Sequence, residues 1–207
     1  FNLNSKKILI TGGSKGIGAA CVKYFCMAGA SVAFTYNSNP ALAARLEKRF
    51  SKITKCKAYK VDISSEDEIK KTVQTMVKDF GRIDVLVNNA GIWKEGGISK
   101  MKLSAWEETL RTNLTSTFIF TQQAVHFMKI KRYGKIINIS STAGQRGEAH
   151  YSHYAASKGG MISFTKSLAS ELGPFNINVN SIAPGWVLTD MSESVLSNKK
   201  SLDEELK

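Results

Sequence analysis

Residues 6–18 read Lys-Lys-Ile-Leu-Ile-Thr-Gly-Gly-Ser-Lys-Gly-Ile-Gly, and this stretch decides the fold. Lys6–Thr11 is a compact apolar run of strand length, and Gly16–Gly29 reads as the helix that follows it. Between them, glycines let the backbone turn tightly and come close to a ligand. The first turn of the next helix presents its unpaired N–H groups there, which favours an anion such as a pyrophosphate. The spacing is G-x-x-x-G-x-G over Gly12, Gly16 and Gly18 rather than the common G-x-G-x-x-G. A glycine-rich turn by itself can be only a turn. Set between a first strand and a first helix, it is a nucleotide cradle.

The rest of the chain repeats this strand–helix alternation. Ser31–Tyr36 is a second strand, and Pro40 sits where a helix begins. Lys55–Val61 is a third strand and Glu66–Phe80 a helix, with Gly81 placed to end it. Ile83–Val87 reads as a fourth strand, Ser104–Lys131 as one long helix and Lys135–Ser140 as a fifth strand. Tyr154–Leu172 follows as a helix and Asn176–Ile182 as a sixth strand. Strands that alternate with helices predict an α/β fold, a parallel sheet covered on both faces. Right-handed crossovers make it a doubly wound Rossmann fold, with ligands beyond the carboxyl ends of the strands.

A chain of 207 residues with 43% hydrophobic content buries one core, so residues 1–191 are expected to form a single domain. Residues 192–207 turn polar with no seventh strand, which suggests part of a substrate loop in an incomplete chain. No apolar run approaches the ~20 residues of a membrane span, and no charged-then-apolar leader follows Phe1. Cys21, Cys26 and Cys56 have no metal-ligand spacing, so reduced thiols in a cytoplasmic protein are expected. His150 and His153 lack a third ligand spaced with them, and no metal is expected. The net charge of +12 is spread along the chain without a basic block. A solvated lysine-rich surface or attraction for an acidic partner accounts for it better than nucleic acid does.

Two further features carry chemistry. The end of the second strand, Thr35-Tyr36-Asn37-Ser38, lacks the carboxylate that holds the ribose 2′-hydroxyl of NAD, and no acidic residue precedes Glu47. That absence permits a 2′-phosphate, to which Lys15 in the glycine loop can pair, so NADP(H) is the expected cofactor. Tyr154 and Lys158 lie four residues apart, on one helical face. A free phenol titrates at about 10, and a neighbouring cation lowers that value towards the range of general acid–base work.

Tyr154-x-x-x-Lys158, the Thr11–Gly18 loop, Asn88-Asn89-Ala90-Gly91, Asn113, Ser140-Ser141 and Pro184-Gly185 occur together and in order. This set resembles the short-chain dehydrogenase/reductase family over almost the whole chain. The resemblance implies a catalytic set of Asn113, Ser141, Tyr154 and Lys158. Hydride passes from the nicotinamide to a carbonyl carbon while Tyr154 protonates the oxygen and Ser141 stabilises the developing charge. Lys158 holds the nicotinamide ribose and tunes Tyr154, and Asn113 holds a water that continues the proton relay. The implied cofactor contacts are Gly12, Ser14, Lys15, Gly16, Ile17 and Gly18 at the phosphates, with Asn37 at the end of the second strand. Asp62 and Ile63 lie near the adenine, Asn89, Ala90 and Gly91 along the ribose, and Pro184, Gly185, Val187 and Thr189 at the carboxamide.

Within the family the chain is most similar to 3-oxoacyl-[acyl-carrier-protein] reductases, on Ile137–Ser141, Tyr154–Gly159, Ala183–Gly185 and Thr189–Met191. That likeness implies a homotetramer and an acidic acyl carrier protein docked near Arg132. Phe175 stands where a second basic docking residue is expected. The loop Ile92–Gly97 and the stretch Gln145–His153, with Tyr151 as lining or packing, depart from the group and leave the substrate open. A dehydrogenase of a sugar, polyol or other small alcohol is the competing enzyme reading. A non-catalytic nucleotide sensor is the reading from another class.

Overall fold

Along the first strand, β1 (Lys7–Ile10), Ile8 and Ile10 face one side and Leu9 the other. All three are wholly buried in the computed structural model, which describes residues 2–196. A strand apolar on both faces needs cover on both, and helices supply it. One layer holds α1 (Gly16–Met27) and α2 (Pro40–Phe50), whose Val22, Cys26, Ala43 and Phe50 meet Ile8, Ile10, Val32 and Phe34. The other holds α3 (Glu66–Phe80) and α5 (Ser116–Lys131), whose Val73, Met76, Phe120 and Met128 meet Leu9, Leu86 and Ile136.

The six strands are parallel, in the order β3-β2-β1-β4-β5-β6. They are β1, β2 (Ser31–Tyr36), β3 (Cys56–Lys60), β4 (Val85–Asn88), β5 (Gly134–Ile139) and β6 (Ile177–Ile182). The chain winds outward from β1 in one direction and from β4 in the other, so the crevice between their carboxyl ends is the switch point where ligands bind.

Local signals act at most boundaries. Asn39 caps α2 by accepting from Leu42 N, Ser65 caps α3, and Gly81 ends α3 at φ 82°. The helix α1 stops at Met27, because the N–H groups of Gly29 and Ala30 turn back to Cys26 and Phe25 through Gly29 at φ +86°. The long helix expected over Ser104–Lys131 is helical throughout but is not one α-helix. It comprises α4 (Leu103–Leu110), a π turn over Arg111–Thr115 and then α5. In the π turn Ser116 N bonds Arg111 O, so one extra residue is fitted into the helix, and Asn113 is buried there. The described chain closes with α6 (Ala143–Arg146), α7 (Ser152–Leu172), a 3₁₀ turn Gly173–Phe175, β6 and α8 (Glu193–Leu196). Most of the polar segment 192–207 lies outside the described residues.

A chain of buried side-chain hydrogen bonds crosses the sheet beneath the crevice. Asn88 Nδ2 donates to Thr121 Oγ1 at 3.0 Å and to Asn138 Oδ1 at 2.8 Å. Asn138 Nδ2 in turn donates to Thr165 Oγ1 at 2.9 Å. This links β4, β5, α5 and α7 through groups that cannot turn to water. Asn138→Ala strands one donor of Asn88 in an apolar setting and removes the bond to Thr165, and we expect a loss of about 2–3 kcal/mol. Thermal denaturation should show Tm lower by about 5–10 °C. A Tm within a degree of the parent rules out a structural role for this chain of bonds.

Candidate active site

The glycine loop is shaped by close approach. A Cβ on Gly18 would strike the Gly12 carbonyl oxygen, and one on Gly13 would lie 2.5 Å from Phe34 Cβ. Gly12 and Gly16 hold φ of +65° and +53°, the left-handed region that glycine alone enters without strain. The turn is fastened on both sides. Gly12 N donates to Thr35 Oγ1 at 3.1 Å, and Thr11 Oγ1 accepts from Asn89 N and Ala90 N at 2.9 and 3.0 Å. Asn89 Nδ2 donates back to Thr11 O and Gly12 O. Lys15, the N-cap of α1, makes no side-chain cap, and the first turn holds no acidic residue. The helix dipole and its unpaired N–H groups therefore point into the crevice, and a dinucleotide pyrophosphate fits this cradle.

A cavity of about 400 Å³ runs from this loop across the carboxyl ends of the strands. Of the residues marked in the sequence, it is lined by Gly12, Ser14, Lys15, Gly16, Ile17, Asn37, Ile63, Asn89, Ala90 and Gly91. Ser141, Tyr154, Lys158, Pro184, Gly185, Val187 and Thr189 complete the marked part of the lining. Gly18 lies behind the loop as a packing glycine. Asp62 is outside the lining. Its Oδ1 accepts from Ser64 N and Ser64 Oγ at 2.9 and 2.8 Å, which holds the carboxyl below its usual range. The loop after β6 roofs the cradle. Thr142 N donates to Pro184 O, Ser192 Oγ donates to Val187 O, and Thr189 lies against Gly16.

At the other end of the cavity the residues of β5 and α7 meet. Burial pushes the Tyr154 phenol above its ordinary value, and a hydrogen bond from Ser141 pulls it down; the Glu148 carboxylate pushes it up further. Lys158 Nζ lies 5.8 Å from the Tyr154 ring centroid and donates to Ile139 O at 2.8 Å. Burial lowers the Lys158 ammonium to about 8. The expected pull of Lys158 on Tyr154 is not among these influences. Removal from water dominates, and the resting group is the phenol, the form that can give a proton. Ser140 faces the other way, its Oγ donating to Lys158 O at 2.8 Å. Ser140 therefore fixes the register of α7 on β5. Gly144 permits the same contact, because a Cβ there would lie 2.6 Å from the Lys158 carbonyl carbon.

Asn113 lies beneath the cavity wall, wholly buried, with its side-chain amide fully engaged. Oδ1 accepts from Ile92 N at 2.8 Å, and Nδ2 donates to Ile92 O and to Ser157 Oγ, each at 3.0 Å. Ser157 Oγ donates to Tyr154 O at 2.7 Å. The Asn113 side chain clamps the loop after β4 to α7. The π turn is what lets Asn113 point inward, since the extra residue rotates it out of helical phase.

The two divergent stretches meet beside Tyr154. Trp93 stacks on Tyr151 with centroids 4.4 Å apart and planes 6° apart, and Trp186 meets Trp93 edge-on at 5.7 Å. Trp93 Nε1 donates to Glu148 Oε1 at 3.1 Å. Trp93, Glu148 and Trp186 line the cavity, while Tyr151 is a packing partner. His153 is buried with Nδ1 unpartnered, and burial lowers its pKa. Among the described residues, no three His, Cys, Asp or Glu side chains gather as a metal site. The sequence gives no individual role to Thr11, Thr35, Ser157 or Glu148, whose bonds to Asn89, Ala90, Gly12, Asn113 and Trp93 are made with residues distant in the chain. At the corner near Arg132, Nη2 donates to Pro174 O, and Lys129 Nζ lies 4.6 Å over the Phe175 ring.

The family model described as short chain dehydrogenase matches residues 6–200. A 3-oxoacyl-[acyl-carrier-protein] reductase of Aquifex aeolicus is 40% identical over 200 residues, covering 96% of this chain and 80% of the relative. An acetoacetyl-CoA reductase of Shinella zoogloeoides is 40% identical over 191 residues, covering 92% of this chain and 78% of the relative. The crystal structure of an NAD+-bound xylitol dehydrogenase superposes with a TM-score of 0.86 at 31% identity, covering 90% of this chain and 72% of that one. With the crevice, the glycine cradle and the Tyr154 cluster in one cavity, the chain belongs to the short-chain dehydrogenase/reductase family of oxidoreductases.

Proposed function

We propose that this chain is an NADPH-dependent 3-oxoacyl-[acyl-carrier-protein] reductase, acting in the cytoplasm as a homotetramer. What supports the reading most is that a single cavity holds the glycine cradle together with Tyr154, Ser141 and the buried Lys158. The relatives named above lend the substrate class, because 3-oxoacyl-carrier and acetoacetyl-CoA are both 3-oxoacyl thioesters. No helix among the described residues is long and apolar enough to cross a membrane.

When bound, the nicotinamide supplies the hydride taken up by the carbonyl carbon. The protein's share is position and a proton. Ser141 and Tyr154 direct their hydroxyls at the carbonyl oxygen, where negative charge grows, and Tyr154 transfers its proton to it. Burial keeps the phenol protonated beforehand. Lys158, next to Gly91 and below Tyr154, holds the nicotinamide ribose and compensates the phenolate left behind. Asn113 keeps Tyr154 in place through Ser157 and Ile92. Lys15, with Asn37 and the carboxylate-free end of β2, accommodates the 2′-phosphate of NADPH, and Ile63 lies at the adenine end. The acidic carrier docks at the cluster of Lys129, Lys131 and Arg132.

Tyr154→Phe should keep NADPH binding, followed by nicotinamide fluorescence, and lose about 10²–10⁴-fold in kcat. Surviving turnover would remove Tyr154 from the role of acid. Initial rates with both cofactors should favour NADPH, and Lys15→Ala should raise the KM for NADPH about tenfold while leaving that for NADH in place. A parent enzyme that prefers NADH contradicts the phosphate assignment. Arg132→Glu should raise the KM for acetoacetyl-carrier about tenfold but not that for acetoacetyl-CoA, since charge reversal acts on the docked protein alone. Equal effects on both substrates would place carrier docking elsewhere.

A further inference from the structure

Two tryptophans stand at the reacting end of the cavity, and hydride transfer uses neither. Trp93 and Trp186 line the same cavity as Ser141 and Tyr154. Each enters on a loop fastened beside the reacting groups. Trp93 comes shortly after Gly91, where a Cβ would lie 3.6 Å from Lys158 Nζ. Trp186 comes shortly after Pro184, whose carbonyl accepts from Thr142 N at 3.0 Å, next to Ser141. The two rings meet edge to face, with centroids 5.7 Å apart and planes at 85°. Trp93 is also held from behind. Its ring stacks at 4.4 Å on Tyr151, the N-cap of α7, one turn before Tyr154. Its Nε1 donates to Glu148 Oε1 at 3.1 Å, and Gly96 N donates to His150 O at 2.8 Å, so the loop after β4 is tied to the segment before α7. Swinging Trp93 aside would forfeit the stack, the edge contact and the hydrogen bond together. The pair is a fixed barrier of apolar surface.

We propose that the Trp93–Trp186 pair limits the length of the alkyl chain on the reacting carbonyl, so that short 3-oxoacyl groups are reduced and long ones excluded. The proposal rests on the 3-oxoacyl reading above and names its chain length. Ser141 and Tyr154 claim the carbonyl oxygen, and the nicotinamide claims one face of the carbon. Two substituents remain in the plane. The one that bears the thioester must lead out to the bulky carrier, so the free alkyl end turns inward, to the tryptophans. A terminal methyl group packs against the rings as one apolar surface on another. Each further methylene needs room that a locked ring does not yield, and forcing it in displaces packed side chains. A barrier held from two separate loops does not give way by the movement of one.

The test follows NADPH oxidation by the full chain on the N-acetylcysteamine thioesters of acetoacetate, 3-oxohexanoate and 3-oxooctanoate. In the parent, kcat/KM should fall at least about tenfold from the shortest acyl group to the longest. Trp93→Ala should narrow that ratio at least about fivefold by opening the barrier. Trp93→Phe keeps a ring on Tyr151 and should retain most of the discrimination. Trp186→Ala, on the other loop, should narrow the ratio in the same direction, and it decides the matter if Trp93→Ala does not fold. A tryptophan with only a structural role would lower all three substrates alike. A ratio unchanged in the folded alanine variants therefore overturns the proposal, as does a parent that is indifferent to chain length or prefers the longest. A second pair, 3-pentanone against 5-nonanone, has no thioester and lengthens both substituents, so a long chain must meet the tryptophans in either orientation. A parent that reduces these ketones but no thioester overturns the substrate reading instead, and the ketone pair then decides the barrier. Turnover of neither series overturns both.

Discussion

An ammonium withdrawn from water has to be met by fixed dipoles or lose its proton, and in this chain Lys158 is in that position. Its Nζ donates to the last carbonyl of β5, that of Ile139, while its own carbonyl receives the hydroxyl of Ser140. These bonds run in opposite directions between one strand end and one helical turn, so α7 can neither slide nor rotate on the sheet. Tyr154, one turn earlier on the same face, inherits that placement. Ser141, the residue after Ser140, is carried to the phenol by the same junction. The cost is visible in the lowered affinity of Lys158 for its proton, a strain that a purely structural lysine at the surface would not bear.

The second constraint comes from the helical stretch across the sheet. A regular helix over Leu103–Lys131 would keep its apolar stripe on the core, but could not also turn an amide towards the loop after β4. The extra residue of the π turn does this, and Asn113 then satisfies both polar groups of Ile92 and reaches Ser157. Three segments distant in sequence are joined by one buried side chain. Such polar junctions are stabilising only when complete, because each unpaired member would be stranded in a dry interior. The chain Asn88–Asn138–Thr165 beneath it is nearly complete, with both amide nitrogens engaged and Asn88 Oδ1 left without a partner.

The two ends of the cavity are built by different means. The cofactor end relies on the absence of side chains, with glycine conformations and the unpaired N-terminus of α1 shaping a backbone surface for phosphate. The substrate end relies on large side chains locked against one another, Trp93, Tyr151 and Trp186, with Glu148 held in their midst. A backbone cradle tolerates little change, whereas a wall of side chains can be rebuilt without disturbing the sheet. The net charge of +12 adds a long-range attraction for anionic ligands, whatever the fine structure of either end.

Much of this was legible in the sequence, for a physical reason. Strand and helix periodicity, the Gly12–Gly18 loop and the boundary residues Pro40 and Gly81 act over a few residues, so local pattern determined the six strands and the head of the crevice. Tyr154 and Lys158, one turn apart, were adjacent by helical geometry alone. What depends on residues brought together from distant segments was decided only by the tertiary structure. The π turn at Arg111–Thr115 goes together with the bonds of Asn113 to Ile92, twenty-one residues back, and no local signal announces it. Asp62, by contrast, stands outside the cavity lining with its carboxylate in a local turn, accepting from Ser64 two residues on. The proton affinity of Tyr154 is governed by burial and by Ser141 and Glu148 more than by the lysine one turn away, since desolvation is a property of the assembled fold and not of spacing along a helix.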